Sequence, residues 1–468
     1  MIEPAGRSGG DRWAGRRVLV VGLGTSGNAA AHALLGLGAV VRVTEAGAGA
    51  GALAETRAEV LRGAGAEVEL GGHDLTRLDA DLAIMSPGIA PDSSVASALR
   101  VKGTEVWSEI ELAYRLARCE FIAVTGTNGK TTTTSLLAAM LDEGGIPSTA
   151  AGNIGRPLVE AVGSLPENGA VAVEVSSFQL ASIDRFHPRV AVVLNVAEDH
   201  TDWHGSFAQY AAAKERIVAN QQPEDFYLPN LDDDVAMGIA RRATASVVPF
   251  SAESAPEDGI GVDAGRVCWR GRMVLSCEDI PLPGRAGLED TVAAAGAALA
   301  YGVGPDAVVR AIKGFHAPRH RLEVIAEQDG VTFIDDSKAT NPHATLTAVK
   351  GLDNVVLIAG GRSKGIDLSV LAQTVPPVIA VVAIGEAAPE IVRTFESLVP
   401  VEQAPDMVQA VRLAKEQARS PGSVLLSPAC ASLDMYESYA RRGDHFSQAV
   451  RASHDGDPKS PNQGRENG

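Results

Sequence analysis

Phe121-Ile122-Ala123-Val124-Thr125-Gly126-Thr127-Asn128-Gly129-Lys130-Thr131-Thr132 is the stretch that decides the fold class. A strand-like apolar run breaks at two glycines and passes at once to Lys130 and two hydroxyls. Helix-forming residues follow, Leu136-Leu137-Ala138-Ala139-Met140-Leu141. Strand, glycine turn and helix start, in that order, are the physical recipe for holding a polyphosphate. Backbone N–H groups and the helix dipole face the anion, the lysine adds a point charge, and a hydroxyl can ligate Mg²⁺. The usual P-loop pattern has a glycine where Val124 stands, so this loop is a variant. The alternative, a Thr-rich turn that only caps a helix, wastes the lysine.

The same segment continues with strands expected at 170–175 and 190–195. They run into Glu174-Val175-Ser176-Ser177-Phe178-Gln179-Leu180 and Asn195-Val196-Ala197-Glu198-Asp199-His200. In a parallel sheet these ends share the edge of the phosphate loop. Carboxylates and an imidazole beside a triphosphate suit Mg²⁺ ligation or the orientation of a reactant.

Two further segments restart the alternation of strand and helix. Upstream, Val18-Leu19-Val20-Val21-Gly22-Leu23-Gly24-Thr25-Ser26-Gly27 precedes an Ala-rich helix at 28–37 and a strand at 40–43 that leads to Glu45. This is the G-x-G-x-x-G turn of pyrophosphate sites, with an acid at about the spacing of a dinucleotide fold. Strand 82–85 ends in Ser86-Pro87-Gly88-Ile89, a glycine turn at a strand's carboxyl end. Downstream, strands at 331–334, 355–359, 379–384 and 424–426 end in polar or small residues. These are Asp335-Asp336-Ser337-Lys338-Ala339-Thr340-Asn341, Gly360-Gly361-Arg362-Ser363-Lys364-Gly365 and Ser427-Pro428-Ala429-Cys430-Ala431-Ser432. Linkers are expected at 108–118 and 314–318, and disordered tails at about 1–14 and 452–468.

Composition limits the partners. The 468 residues carry 41 basic and 58 acidic side chains, a formal charge of −17. That balance repels nucleic acid, so an anionic substrate needs local cations. With 45% hydrophobic but only 4% aromatic residues, the cores are aliphatic. Four cysteines without metal-type spacing or a disulfide framework suit a reducing, cytoplasmic setting. No apolar run has the length of a membrane span. The residues alone thus give about three α/β domains and an ATP-dependent enzyme with a nucleotide-bearing second substrate. A nicotinamide-dependent dehydrogenase using Glu45, or a non-catalytic nucleotide sensor, are the competing readings.

These motifs resemble the Mur ligase family, the ATP-dependent amide-bond ligases of bacterial peptidoglycan assembly. The resemblance rests on 125–132, 174–180 and 195–200, on Ala211-Ala212-Ala213-Lys214, and on the turns after Gly22 and Ser86. Asp336-Ser337-Lys338-Ala339-Thr340-Asn341 and Leu426-Ser427-Pro428-Ala429-Cys430-Ala431-Ser432-Leu433-Asp434 are similar to the branch that adds D-glutamate to UDP-N-acetylmuramoyl-L-alanine. Sister ligases for other amino acids differ at the first of these strand ends. The stretch 284–290 departs from the family's Gly-x-His-Asn-x-x-Asn pattern, and Glu45-Ala46-Gly47 departs from its Asp-Thr-Arg, so no adenine or uracil contact is carried over.

The resemblance implies three α/β domains. A Rossmann-like UDP-sugar domain would occupy 1–112, a central P-loop-type mononucleotide-binding domain 113–317, and a Rossmann-like acceptor domain 318–468. It implies ligation through an acyl phosphate by a cytoplasmic monomer of peptidoglycan precursor synthesis, with a bearing on cell-wall biogenesis, shape and division. Gly126, Thr127, Asn128, Gly129, Lys130, Thr131, Thr132, Arg321 and Asp336 would bind ATP. Thr131 and Glu174 would hold one Mg²⁺, and His200 with a carbamylated Lys214 a second, while Asp199 would orient His200 or the amine. Gly24, Thr25, Ser26, Gly88 and Asn153 would meet the UDP-sugar. Lys338, Thr340, Ser432 and Tyr439 would meet D-glutamate, with Lys364 as a further carboxylate contact or a solvated loop lysine.

Overall fold

The computed structural model describes residues 13–47, 52–86, 88–90, 92–363 and 365–455. Lys364, Pro87 and most of the expected tails lie outside them. Within the expected first tail, Trp13 is instead 3% exposed and packs edge-on against Trp107 with ring centroids 6.2 Å apart. A large aromatic ring gains too much by burial to stay in solvent.

The chain divides into two compact units. The first comprises the residues up to Leu275 together with Val292–Ile312. It opens with strands β1 (Arg17–Val21), β2 (Val40–Glu45), β3 (Glu67–Leu70), β4 (Leu82–Met85) and β5 (Glu105–Ser108). They form a parallel sheet in the order β3-β2-β1-β4-β5. The strand order reverses at β1, so the turns after β1 and β4 sit side by side at the carboxyl edge, the place where such sheets take ligands.

A second parallel sheet uses β6 (Glu120–Thr125), β7 (Ser148–Gly152), β8 (Ala170–Glu174), β9 (Val190–Val193), β10 (Phe226–Pro229) and β11 (Ser246–Val247). Its order is β11-β10-β9-β6-β8-β7. β6 therefore lies between β8 and β9, and the three motif-bearing ends are neighbours. β8 and β9 are buried along their whole length, which explains their unbroken apolar sequence. A small sheet, β12 (Phe250–Ser251), β13 (Ile260–Asp263), β14 (Arg266–Trp269) and β15 (Arg272–Ser276), follows.

The expected linker at 108–118 is a helix, Glu109–Leu116. Its acids are buried because they bind backbone. Glu111 accepts from the N–H groups of Asp184, Arg185 and Phe186 at 2.9–3.0 Å, and Arg115 Nε donates to it at 2.6 Å. Glu109 accepts from Leu158 N at 2.9 Å. Burial pushes its carboxyl up to about 7, against the hydrogen bonds from Val159 and Leu158. Polar composition suggested solvent here, whereas these side chains terminate other elements.

The second unit comprises Ser276–Thr291 and the residues from Lys313 onward. The linker expected at 314–318 is irregular, as read. The sheet here contains β16 (Glu323–Gln328), β17 (Val331–Asp335), β18 (Val355–Gly360), β19 (Val378–Ile384), β20 (Val401–Gln403) and β21 (Gly422–Ala429). The order is β16-β17-β21-β18-β19-β20, all parallel except the β16–β17 pair. Sequence periodicity missed β16, an edge strand with a register shift between Val324 and Ala326. Among the described residues no helix is long and apolar enough to cross a membrane.

Candidate active site

The phosphate loop turns on two glycines. Gly129 has φ of 84°, in the left-handed region. A Cβ on Gly126 would lie 2.9 Å from Leu194 Cβ, so only glycine allows the loop to cross β9 so closely. The helix Lys130–Glu143 starts directly after it, and its first-turn N–H groups face the loop. Asn195 closes the loop from β9. Thr127 N donates to Asn195 O at 2.8 Å and Asn128 N to its Oδ1 at 2.9 Å. No ligand role was assigned to Asn195, and its function here is to shape the loop.

Lys130 folds back on this loop, its Nζ donating to Gly126 O at 2.9 Å and Thr127 O at 2.7 Å. A phosphate would compete strongly with these neutral carbonyls for the ammonium. Thr131 Oγ1 donates to Glu174 Oε2 at 2.5 Å, and Glu174 is 2% exposed. Asn153 Nδ2 donates to the other carboxylate oxygen at 2.9 Å. Gly152 allows this approach, since a Cβ there would meet Glu174 O at 2.4 Å. Thus Thr131, Glu174 and Asn153, read from three separate motifs, form one chain of contacts.

Lys214 lies in a helix of ordinary composition but is not solvated. The helix Phe207–Glu215 buries it to 1% exposure, and Nζ donates to Gly126 O at 2.7 Å. Among the described residues it has no ion pair. Burial, and then the charge of Lys130, hold its ammonium well below the usual lysine range, against the pull of Asp199 and Glu174. Tyr210 links the helix to the loop: its ring lies 4.6 Å from Lys214 Nζ and its hydroxyl 3.0 Å from Thr127 Oγ1.

His200 stands at φ 51° before the short helix Thr201–His204. Its ring centroid is 4.8 Å from that of Phe178 and 6.3 Å from that of Tyr210. Asp199 Oδ2 lies 3.6 Å from its Nε2. Glu198 is exposed and joins none of these contacts. The donor set fits Mg²⁺ chemistry. Thr131, Glu174, Asp199 and His200 offer hard oxygen and imidazole donors around a phosphate loop.

In the first sheet, Gly22 and Gly27 are the sterically required glycines. A Cβ on Gly22 would meet Ser86 Oγ at 2.5 Å, and one on Gly27 would meet Gly22 O at 2.0 Å. Gly24 has open space, so its assignment rests on backbone reach alone. Thr25 and Ser26 begin the helix Thr25–Gly36, and Gly88 is exposed in the neighbouring turn. Glu45 closes onto the turn, with Leu23 N donating at 2.6 Å. Burial opposes its ionisation, but the N–H groups of Leu23 and Gly47 outweigh this and hold the carboxyl below its ordinary range. An acid so engaged does not wait for a ribose, which disfavours the dehydrogenase reading. Residues 285 and 289, in the stretch that lacks the adenine motif, pair with each other, Arg285 Nε to Glu289 Oε1 at 3.0 Å.

In the second unit, Asp336 is buried beside Ser427, whose Oγ donates to it at 3.0 Å. Burial pushes its carboxyl up to about 7, opposed by Ser427 and Arg321. Lys338 Nζ lies 3.8 Å from the centre of the Tyr439 ring, a cation–π contact. Tyr439 also meets His320 edge-on at 6.3 Å. Ser432 is buried and Thr340 half-buried. Beneath them, buried His320 Nδ1 and Asp335 Oδ2 are 2.7 Å apart, a pair the sequence reading did not single out. Glu323 completes a possible metal-binding trio with them. However, Gly443 covers the pair so closely that a Cβ would sit 2.1 Å from His320 Nδ1, so we read it as a packed ion pair.

Comparison with known proteins agrees with these motifs. Residues 124–298 match the Mur ligase middle domain and residues 320–430 the Mur ligase, glutamate ligase domain. The UDP-N-acetylmuramoylalanine–D-glutamate ligase of Frankia casuarinae is 44% identical over 450 residues, covering 94% of this chain and 95% of the relative. Its namesake from Caldanaerobacter subterraneus subsp. tengcongensis is 39% identical, over 93% of this chain and 98% of the relative. Among solved structures, a pseudomurein peptide ligase type C from Methanothermus fervidus has a TM-score of 0.58 at 17% identity, covering 94% of this chain and all of that one. UDP-N-acetylmuramate-alanine ligase from Thermotoga maritima has a TM-score of 0.56 at 19% identity, with the same coverage. The structural likenesses establish the fold, and the sequence matches across nearly the whole chain show that it belongs to the Mur ligase family.

Proposed function

We propose that this chain is an ATP-dependent ligase that joins D-glutamate to UDP-N-acetylmuramoyl-L-alanine in cytoplasmic peptidoglycan precursor synthesis. The observation that carries the reading is the cluster of Lys130, Thr131, Glu174 and Lys214 around one phosphate loop, in a chain 44% identical to a ligase of that name. In this reading the first large sheet would serve the UDP-sugar, the second ATP and the third the amino acid.

The chemistry requires a carboxylate to become an electrophile. Its negative charge repels nucleophiles, and transfer of the ATP γ-phosphoryl group removes that charge and supplies a leaving group. The amine of D-glutamate then attacks the acyl phosphate, phosphate departs from the tetrahedral intermediate, and an amide remains. Two anions must first be brought together, so cation density dominates catalysis. Lys130 would leave its two carbonyls for the β- and γ-phosphates, and the helix start at Lys130 would face the same oxygens. Thr131 and Glu174 would hold one Mg²⁺, and His200 with Lys214 a second. Bound there, Mg²⁺ would neutralise phosphate and carboxylate charge.

Lys214 suits carbamylation. A buried amine that loses its proton easily is a nucleophile for CO₂, and the product is an anionic oxygen donor beside Lys130. Asp199 would hold the imidazole of His200 in register. Arg321 and Asp336 would reach ATP, and Gly24, Thr25, Ser26, Gly88 and Asn153 the UDP-sugar. Lys338, Thr340, Ser432 and Tyr439 would hold D-glutamate, charge and hydroxyl donors matching a dicarboxylate.

An acceptor screen tests this. With ATP, Mg²⁺ and UDP-N-acetylmuramoyl-L-alanine, phosphate release should appear with D-glutamate and not with L-alanine, L-glutamate or a diamino acid. Full-rate ATP hydrolysis without any acceptor, or preference for another amino acid, would refute it.

A further inference from the structure

Arg442 is among the largest fully buried side chains, at 1% exposure, and among the described residues it pairs with no carboxylate. A buried arginine without a counter-ion is costly unless neutral acceptors satisfy its fork. Here they do. Nε donates to Ser337 Oγ at 3.0 Å, Nη2 to Ser337 O at 2.8 Å, and both Nη1 and Nη2 to Cys430 O at 3.2 Å. Ser337 Oγ in turn donates to Tyr439 O at 2.8 Å, one helical turn before Arg442.

These acceptors lie on two separate loops. Ser337 precedes Lys338 at the end of β17, and Cys430 lies two residues before Ser432 at the end of β21. A third loop is cut to fit the guanidinium. A Cβ on Gly361 would lie 3.1 Å from Arg442 Nη1 and 2.3 Å from Ala431 O. Arg362 N donates to Ala431 O at 2.8 Å, fastening that loop to the second. The guanidinium plane thus fixes the distance between the residues read as acceptor contacts.

We infer that Arg442 is a positioning residue for the amino-acid acceptor, setting Lys338 against Ser432 by bridging their loops. This rests on the acceptor assignment made above. A lysine at 442 keeps the charge but cannot bridge two loops with a planar fork. A purely structural buried arginine would instead lower stability without singling out one substrate.

The test uses the full-length enzyme with Arg442→Lys, Ser337→Ala and the double variant. Arg442→Lys should raise the D-glutamate KM by roughly one to two decades, the scale of lost charge-assisted hydrogen bonds. The KM values for ATP and for the UDP-sugar should stay within about threefold. Ser337→Ala should raise the D-glutamate KM less, and the double variant should fall short of the product of the single effects, because both remove one bridge. An Arg442→Ala enzyme should regain part of its D-glutamate affinity with added guanidinium at non-denaturing concentration. If Arg442→Ala does not fold, the double-variant cycle decides. An unchanged D-glutamate KM in Arg442→Lys, an equal rise in all three KM values, or full multiplicativity would overturn the inference. If the wild-type enzyme shows no D-glutamate-dependent phosphate release, the acceptor reading has failed instead.

Discussion

The phosphate-loop region and the acceptor region solve the same problem, holding polar groups at the carboxyl edge of a parallel sheet, by different means. The first is mostly contiguous. Eight residues from Thr125 to Thr132 make the loop, and two ammonium groups, Lys130 and the buried Lys214, converge on Gly126 O. The second is dispersed over more than a hundred residues. The loops bearing Lys338, Ser432 and Tyr439 are tied together by Ser337 and by the buried Arg442, whose acceptors are neutral oxygens, with the His320–Asp335 pair beneath. Converging cations at one loop would suit a polyanion. Loops held at a fixed spacing would suit a small dicarboxylate.

The comparison breaks most readily at Lys130. Lys130→Ala should cut turnover by roughly 10²–10³-fold, on the scale of losing a preorganised charge at a developing anion. Steady-state phosphate release measures it, and near-normal turnover would show that the loop does not carry the chemistry. Next is Lys214→Ala, expected to lose nearly all activity and to recover part of it with acetate or formate. Intact-mass analysis of Mg²⁺-loaded, fully active enzyme bearing an unmodified lysine would reject the carbamate and leave the ligase reading standing.

In the acceptor region effects should be smaller and substrate-specific. Lys338→Ala should raise the D-glutamate KM by roughly one to two decades, since one charge-assisted contact is worth about 1.5–3 kcal/mol. Unaltered D-glutamate kinetics would remove that strand end from the acceptor site.

A further effect is on pH-dependent stability. Burial raises the folded-state carboxyl of Asp336 to about 7 from an ordinary value of 3.8. The native state therefore binds this proton more tightly than the unfolded chain. This contribution favours folding at low pH, declines as pH rises above 3.8, and levels off once pH passes about 7. Asp336→Asn imitates the protonated acid. Its melting temperature should match that of wild type at acidic pH and exceed it at pH above about 8. Parallel melting curves across that range would mean that Asp336 stays ionised in the fold.

How much was legible follows from the same contrast. The strands around the centre of each large sheet read directly, because burial on both faces demands apolar runs, whereas β3, β5, β7, β10, β11 and β20, toward the sheet edges, were not singled out. The phosphate loop read directly too, since its chemistry is written in neighbouring residues. Glu109 and Glu111 did not, because a buried carboxylate that caps distant backbone looks like a solvated one. β16 and Trp13 were missed for lack of a clean period. Arg442 gave no signal at all, being one arginine beside another in a polar helix, Arg441-Arg442.

By itself the sequence determined the α/β class, the three sheet-building segments, the strand–glycine turn–helix at 121–141 and the family resemblance, because each depends on residues close in the chain. Tertiary structure alone decided that Lys214 is buried, that Asn153 and Thr131 share Glu174, and that one guanidinium joins the loops after β17 and β21. Burial and partnership are set by what the rest of the chain packs around a residue, and no local pattern encodes that.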